Sequence, residues 1–222
     1  IEMAAAAGLH LLAEKDRDPW KTSTHGVGEM ILRTAKEGVE AILLGIGGSA
    51  TNDLGLGALE TLGLRFLDPT DQLIDRIRPD CWGRLASIAG EVPPLPPLRI
   101  ACDVDNSLLG PSGATFTFGP QKGLPAGELS RMEEEAGRIA RLLLARFGVG
   151  EEALIEPGAG AAGGIGFGLD VACGARCVSG SSLVAKWLRL EEQVAWADLV
   201  VTGEGRFDLT SLRGKGPGAV AN

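Results

Sequence analysis

The residues best suited to chemistry lie in three polar segments, each directly after an apolar run. They are GGSATND at 47–53, CDVDN at 102–106 and TGEGRFD at 202–208. In open α/β sheets, ligands bind at the loops beyond the carboxyl ends of the strands. We therefore expect these three segments to lie close together and to form the functional site.

The first segment has the composition of an anion-binding loop. Its glycines let backbone N–H groups surround an anion, and the helix expected after it would add a favourable dipole. We predict that Gly47, Gly48, Ser49, Thr51 and Asn52 bind phosphate or carboxylate oxygens. The alternative is a glycine-rich turn in which one of the polar side chains only caps the helix.

The second and third segments contain carboxylates. Asp103 and Asp105 are two residues apart, so they project to the same side of an extended chain. Such a pair suits Mg²⁺, which takes few carboxylates together with water and phosphate oxygens. One of the two could instead accept a proton from a substrate hydroxyl, and an Asx turn that ends the strand is the alternative. Glu204 and Asp208 form a second acidic pair.

Basic residues also occur in glycine-rich turns. Lys122 lies in such a turn and could act as a point charge on phosphate, although a solvated surface lysine is an equally good interpretation. Arg206 lies between the two acids of the third segment. A P-loop is excluded, because Gly216 follows Lys215 and no GxxxxGK[ST] motif exists. Only two histidines occur, which leaves little material for histidine-based metal sites or nucleophile triads.

Apolar runs alternate with helical periodicities, which predicts an α/β fold with a mostly parallel sheet. Strands are expected at 41–46, 64–68, 98–104 and 198–205, and helices at 27–35, 54–62 and 127–147. A short helical piece is expected near 82–89, and 158–175 predicts a small-residue helix that is entered through a glycine-rich loop. The run from 41 to 68 would form one strand–loop–helix–strand unit. The proline-rich VPPLPPL at 92–98 predicts a crossing segment, because proline cannot donate hydrogen bonds to a sheet. We predict part of a first α/β domain at 1–68, a linker at 69–97 and the remaining α/β part at 98–222.

The composition limits the possible function classes. The chain has 222 residues and a net charge of −8, with 45% hydrophobic and 23% charged residues, as in ordinary folded proteins. An acidic chain without a basic stripe argues against nucleic acid as a partner. No run of 18 apolar residues and no signal peptide is visible. Four cysteines without a CxxC motif predict inert, reduced core residues in a cytoplasmic protein, and Cys173 and Cys177 could share a helix face.

Together, these segments resemble the bacterial type I glycerate kinase family. The resemblance covers GIGGSATND at 45–53, CDVDN and LLGP within 102–111, FGPQKG at 118–123, GAGAAGG at 158–164, TGEGRFD at 202–208 and RGK at 213–215. It implies ATP-dependent phosphorylation of D-glycerate with Mg²⁺, in a cleft between two α/β domains. Leu209 and Arg213 depart from the family pattern, which tends to have serine and histidine there.

The resemblance also implies roles for individual residues. The catalytic residues would be Asp103, Asp105 and Lys122, the metal ligands Asp105, Glu204 and Asp208, and further phosphate or substrate ligands Arg206 and Lys215. Family members begin before Ile1 and continue past Asn222, so we expect this chain to be a piece of a longer protein. A 2-phosphate and a 3-phosphate product both fit.

Two other functions stay open at this point. GIGGSA at 45–50 matches a loose GxGxxA motif, and Asp68 ends the next expected strand 18 residues after Ala50, as in an NAD(P)-dependent oxidoreductase. That function would leave the acids at 103–105 and 204–208 without a role in hydride transfer. The other alternative is an inactive piece that only binds ligand.

Overall fold

The structure, a computed structural model, describes residues 1–201 and residue 203. The strands are β1 (Ile42–Gly45), β2 (Leu64–Leu67), β3 (Ser87–Gly90), β4 (Leu98–Ala101) and β5 (Arg176–Val178). The α-helices are α1 (Ala4–Ala7), α2 (His25–Lys36), α3 (Leu56–Thr61), α4 (Ala114–Phe118), α5 (Leu129–Phe147), α6 (Ile165–Cys173), α7 (Gly180–Trp187) and α8 (Leu190–Trp196). Short 3-10 helices include Pro79–Arg84, Pro120–Lys122 and Ala161–Gly163.

Three of these strands form a parallel sheet in the order β1–β4–β5. Leu44 and Ile100, which are register partners in its first two strands, are fully buried on one face of the sheet, whereas Arg99 on the other face is exposed. Gly45 lies beside Ala101, and Ala101 lies beside Val178. The carboxyl ends of the three strands therefore meet at one edge, and the predicted α/β class with a parallel sheet is confirmed.

The helices pack around this sheet in one continuous apolar core. Besides the strands, the core includes buried side chains from α2, α3, α5 and α6, among them Val27, Ile31, Leu56, Leu59, Ile139, Leu143 and Leu169. Each such aliphatic side chain contributes about 1.5–3 kcal/mol when it is fully buried. None of the helices in the described part of the chain combines the length and apolar composition needed to span a membrane.

One predicted strand lies outside the parallel sheet. β2 pairs antiparallel with β3 in a separate two-stranded sheet, with Leu64 opposite Gly90. The expected strand–loop–helix–strand order is therefore confirmed, although its last strand does not join the parallel sheet. Leu64 and Phe66 of β2 are buried and Arg65 is exposed, but β4 of the parallel sheet has the same alternation, with Arg99 exposed, so this pattern does not determine which sheet a strand joins. Such alternation is typical of a strand with one solvated face.

The segment predicted as a linker, 69–97, is largely folded. It contains the 3-10 helix Pro79–Arg84 and β3, so the short helical piece expected near 82–89 lies a few residues earlier and 87–90 is a strand. Trp82 is fully buried, and the guanidinium of Arg138 in α5 donates hydrogen bonds to the carbonyl oxygens of Trp82 and Leu85. These contacts fix the segment against α5, whereas residues 69–78 and the proline-rich part before β4 lack a helix or strand.

The C-terminal third also differs from the predicted order of elements. The helix expected within 158–175 after a glycine-rich loop is confirmed as α6, but no strand forms at the described residues of the 198–205 segment, 198–201 and 203. β5, α7 and α8 occur where the sequence predicted no elements. Cys173 ends α6 and Cys177 lies in β5, so the two do not share a helix face.

Candidate functional site

A cavity of about 840 Å³ opens at the carboxyl edge of the parallel sheet. Its lining includes Gly47, Gly48 and Ser49 after β1, Cys102 and Asp103 after β4, Phe118 and Lys122, and Leu183, Val184 and Trp187 of α7. The structure thus brings two of the three predicted segments together at the position where open α/β sheets bind ligands. Of the third segment, 202–208, only Gly203 lies among the described residues.

The loop after β1 is held in place by the N-terminal residues and leaves backbone donors free. The Leu9 N–H donates to the Gly48 carbonyl (2.8 Å), and the Ala50 N–H donates to the Ala7 carbonyl (2.8 Å). Within the described chain, the N–H groups of Gly47 and Gly48 have no hydrogen-bond acceptor. A Cβ on Gly47 would meet no atom within 4 Å. Packing therefore does not require a glycine there, and the open space lets a ligand approach the backbone.

Thr51 and Asn52 lie beneath this loop and do not line the cavity. Both are buried, and the Asn52 Nδ2 donates to the Thr115 Oγ1 (3.3 Å). Thr51 Oγ1 and Asn52 Oδ1 have no hydrogen-bond partner among the described residues. A buried polar atom without a hydrogen-bond partner costs about 1–3 kcal/mol, so these two atoms lower the stability of the loop.

Lys122 is a buried cation at the cavity. Its side chain is 2% exposed, and its Nζ donates to the Thr51 carbonyl oxygen (2.6 Å) and lies 6.0 Å from the centre of the Phe118 ring. Burial lowers the pKa of Lys122 to about 7, against the opposing effect of the negative charge of Asp53. An anion in the cavity would favour the protonated amine, so Lys122 can gain charge when an anionic ligand binds.

Asp53 is a buried residue of the site that sequence reasoning missed. Its carboxylate accepts hydrogen bonds from the Thr24 N–H (2.7 Å) and hydroxyl (2.8 Å) and from the N–H groups of Gly55 (3.2 Å) and Gly57 (3.3 Å). Burial raises the pKa of Asp53, and these hydrogen bonds oppose that effect. Asp53 therefore fixes the start of α3 and partly offsets the charge of Lys122. Its place at the end of the GGSATND motif is the signal that could have identified it.

Asp103 lines the cavity and holds the first turn of α7. Its carboxylate accepts hydrogen bonds from the Ser181 N–H (3.0 Å to Oδ2) and from the hydroxyls of Ser179 and Ser181 (3.1 Å each). These contacts hold α7 and do not form the Asx turn that was considered for this position. Asp105 is exposed and does not line the cavity, so the two aspartates are not side by side in the site.

The predicted magnesium site is only partly within the described chain. Across residues 1–201 and 203, no three His, Cys, Asp or Glu side chains come together in a way that could hold a metal ion. Of the predicted ligands, Asp105 is described, whereas Glu204 and Asp208 lie outside the described residues. The predicted phosphate ligands Arg206 and Lys215 also lie outside them. The described residues alone therefore do not form a magnesium site.

The fold does not form a nicotinamide-binding unit. Such a unit needs an acidic residue at the end of the strand next to β1 in the parallel sheet, whereas Asp68 follows β2 in the separate sheet. The Asp68 carboxylate instead accepts hydrogen bonds from the Thr70 N–H (2.8 Å) and hydroxyl (2.7 Å) and from the Gln72 N–H (3.1 Å). These hydrogen bonds lower the pKa of Asp68. It shapes a turn, and the assignment of GIGGSA with Asp68 to a dinucleotide is wrong.

The lowered pKa of Lys122 predicts how stability depends on pH. Between pH 7 and about 10.5, the unfolded chain holds a proton on this lysine that the folded chain has released. The free energy of unfolding therefore rises with pH across this window, by at most about 1.4 kcal/mol per pH unit. Lys122→Met should lack this rise in denaturant titrations at pH 7, 8 and 9, and the exposed Lys36→Met should keep it. Equal pH slopes for the wild type and Lys122→Met would contradict the burial of an ionisable amine.

The comparisons with known proteins all identify the same protein family. The model of a family described as the glycerate kinase family matches residues 1–222. A glycerate kinase of Halalkalibacterium halodurans is 40% identical over 228 residues, and a glycerate 2-kinase of Escherichia coli K12 is 41% identical over 229. Each alignment covers 100% of this chain and 58% of the relative, so the chain spans little more than half of their length.

A solved structure supports the same likeness at the level of the fold. It comes from Salmonella typhimurium LT2 and is provisionally named glycerate kinase 2. The TM-score is 0.79 at 41% sequence identity, and the match covers 95% of this chain and 56% of that one. Likeness in sequence and in fold thus extends over nearly the whole chain.

Proposed function

This chain belongs to the glycerate kinase family, and we propose that the protein transfers the γ-phosphoryl group of ATP to a hydroxyl of D-glycerate. One observation carries this proposal: a loop with free backbone N–H groups and a buried lysine converge on one cavity at the carboxyl edge of the sheet. Phosphoryl transfer needs positioning and charge neutralisation more than covalent chemistry. Both groups are suited to that task.

We assign the loop after β1 to the recognition of an anionic group, either a phosphate of ATP or the carboxylate of glycerate. The N–H groups of Gly47 and Gly48 and the hydroxyl of Ser49 would donate to its oxygens, and Lys122 would become charged as the anion enters. Thr51 and Asn52 would support the loop from below. Arg206 and Lys215 are proposed as further ligands of the same anions.

The carboxylates are assigned to the acceptor hydroxyl and to Mg²⁺. Asp103 or Asp105 would take the proton from the hydroxyl, and Asp105, Glu204 and Asp208 would bind the metal. Mg²⁺, when bound with ATP, would neutralise charge on the phosphate oxygens. The cavity volume of about 840 Å³ lies within the usual range for small-molecule sites. A cytoplasmic location and small molecules rather than nucleic acid as partners accord with this function.

Two substitutions of Asp103 separate chemistry from positioning. If Asp103 accepts the hydroxyl proton, Asp103→Asn lowers kcat by about 10²–10⁴-fold. The hold on α7 survives in this variant, because the asparagine oxygen can still accept from the Ser181 N–H. Asp103→Ala loses both the proton acceptor and the hydrogen bonds to α7. We therefore expect it to unfold at a lower temperature than Asp103→Asn. Near-normal kcat in Asp103→Asn with a low value in Asp103→Ala would make Asp103 a positioning residue and assign the proton to Asp105.

The proposed reaction is tested by following ADP release from ATP and Mg²⁺ by the full-length protein. We expect release that depends on added D-glycerate, and no change in NADH fluorescence when the protein is titrated. Release that is independent of glycerate, or NADH binding without any ADP, would overturn the proposal. The name of the Escherichia coli relative leads us to propose the 2-phosphate as product rather than the 3-phosphate.

A further inference from the structure

Two cysteines, Cys102 at the cavity and Cys177, lie on neighbouring strands of the parallel sheet. Cys102 follows β4, and Cys177 lies in the neighbouring strand β5, where it pairs with Ile100. Residues two apart on a strand share a face, so Cys102 and Cys177 lie on the same side of the sheet. The Cys102 thiol donates a hydrogen bond to the Val104 carbonyl oxygen (3.3 Å). A Cβ on Gly158 would lie 3.4 Å from the Cys102 Sγ and 4.0 Å from the Cys177 Sγ, so both sulfurs sit over one glycine.

The two thiols differ in reactivity, and both can be reached by a reagent. Cys177 is exposed, and Cys102 is partly exposed and lines the cavity. The interaction with the neighbouring Cys177 thiol is the main cause that lowers the pKa of Cys102 to about 7, and the same interaction together with burial raises the pKa of Cys177. Redox-sensitive cysteines typically combine a low pKa with access and a neighbouring resolving cysteine. By contrast, burial raises the pKa of Cys173 to about 12.

We propose that Cys102 and Cys177 form a redox-active dithiol that low-molecular-weight disulfides, such as oxidised glutathione, convert reversibly to a protein disulfide. The Cys102 thiolate attacks one sulfur of the reagent, breaks its S–S bond and releases one thiolate, which takes up a proton. Cys177, after losing its proton to water, then attacks Cys102 Sγ in the mixed disulfide and releases the second thiol. Two protein thiols are oxidised and one reagent disulfide is reduced to two thiols.

The sheet register makes this disulfide a strained one. In a regular parallel pair of strands, two residues that are offset by two positions from direct pairing, as Cys102 and Cys177 are, have Cα atoms about 8 Å apart. Disulfides usually need about 4.4–6.8 Å, so the chain at Cys102 must move toward β5. Strained disulfides are easily reduced, which favours a reversible modification over a structural bond. The movement would also displace Asp103, the residue that holds α7 at the cavity.

The test is disulfide mapping in the full-length protein after incubation with oxidised glutathione. Trypsin separates the cysteines of this chain, because Cys102 falls in peptide 100–122, Cys177 in 177–186, Cys173 in 147–176 and Cys81 in 77–84. We expect peptides 100–122 and 177–186 to be joined by a disulfide that dithiothreitol removes. Cys177→Ser should instead retain glutathione on Cys102, whereas Cys173→Ser and Cys81→Ser should behave like the wild type.

Three results would overturn the proposal. They are a stable glutathione adduct on Cys102 in the wild-type protein, a link from Cys102 to a cysteine other than Cys177, and free thiols at both positions after prolonged oxidation. The proposal is independent of the reaction catalysed, because its readout is the mass of peptides and not activity.

Discussion

Lys122→Met is expected to lower kcat/KM for glycerate phosphorylation by about 10²–10³-fold, the usual cost of removing one charge-stabilising group from an active site. Lys122 is the one cationic side chain among the described residues that line the cavity. Methionine fills a similar volume but can neither donate to the Thr51 carbonyl nor carry charge when an anion enters. Steady-state kinetics with ATP and D-glycerate measure the effect.

The matched control for this prediction is Lys186→Met. Lys186 lies in α7, is exposed and does not line the same cavity, so its removal changes net charge equally without touching the site. We expect this variant to stay within about threefold of the wild type. Denaturant unfolding of Lys122→Met establishes that the variant is folded. A kcat/KM near the wild-type value in folded Lys122→Met would limit Lys122 to a structural role.

Gly163→Ala is expected to destabilise the protein by about 3 kcal/mol or more, because it combines backbone strain with a collision. Gly163 has a φ of +76°, and a Cβ there would lie 2.1 Å from the Thr51 carbonyl oxygen and 2.6 Å from the Asn52 Cα. Both are backbone atoms of the loop that Lys122 holds through the same carbonyl. The Leu54 N–H also donates to the Gly163 carbonyl (3.0 Å). The substitution should therefore displace the loop and reduce activity together with stability.

Gly38→Ala separates the backbone strain from the collision of the added Cβ. Gly38 has a φ of +72° with no atom within 4 Å of an added Cβ, so this variant carries only the strain of the left-handed conformation, about 1–2 kcal/mol. Denaturant titrations give the free energy of unfolding of both variants. The difference between their losses of stability measures the collision with the loop. Equal losses of stability in the two variants would show that the 158–164 segment does not support the loop.

The position of the site could be predicted from the sequence because parallel strands have their carboxyl ends at one edge. The apolar runs at β1 and β4 and the polar residues after each of them were enough to place Ser49 and Asp103 at one cavity. The buried state of Lys122 could not be predicted, since its glycine-rich neighbours indicate a surface turn equally well. It depends on a contact with Thr51, 71 residues earlier in the chain.

Other elements depend on contacts that local sequence does not encode. β2 was predicted as a strand, but its antiparallel pairing with β3 in a separate sheet depends on a partner that was not predicted as a strand. The segment 176–187 carried no recognised periodicity, yet β5 completes the sheet and α7 contributes one side of the cavity. The link between Asp103 and Ser181 joins residues 78 apart. The cysteines were expected to be inert because they form no CxxC motif, and the register of β4 and β5, which brings Cys102 near Cys177, cannot be read from the sequence.

The central claim is most directly tested by phosphorus NMR of the full-length protein with ATP, Mg²⁺ and D-glycerate. We predict a new phosphomonoester resonance that grows as ADP appears, with coupling to a single carbon-bound proton if the product is the 2-phosphate and to two protons if it is the 3-phosphate. Folded Lys122→Met should produce it far more slowly. Unchanged ATP in the presence of D-glycerate and folded wild-type protein would contradict the assignment of a glycerate kinase site to this cavity.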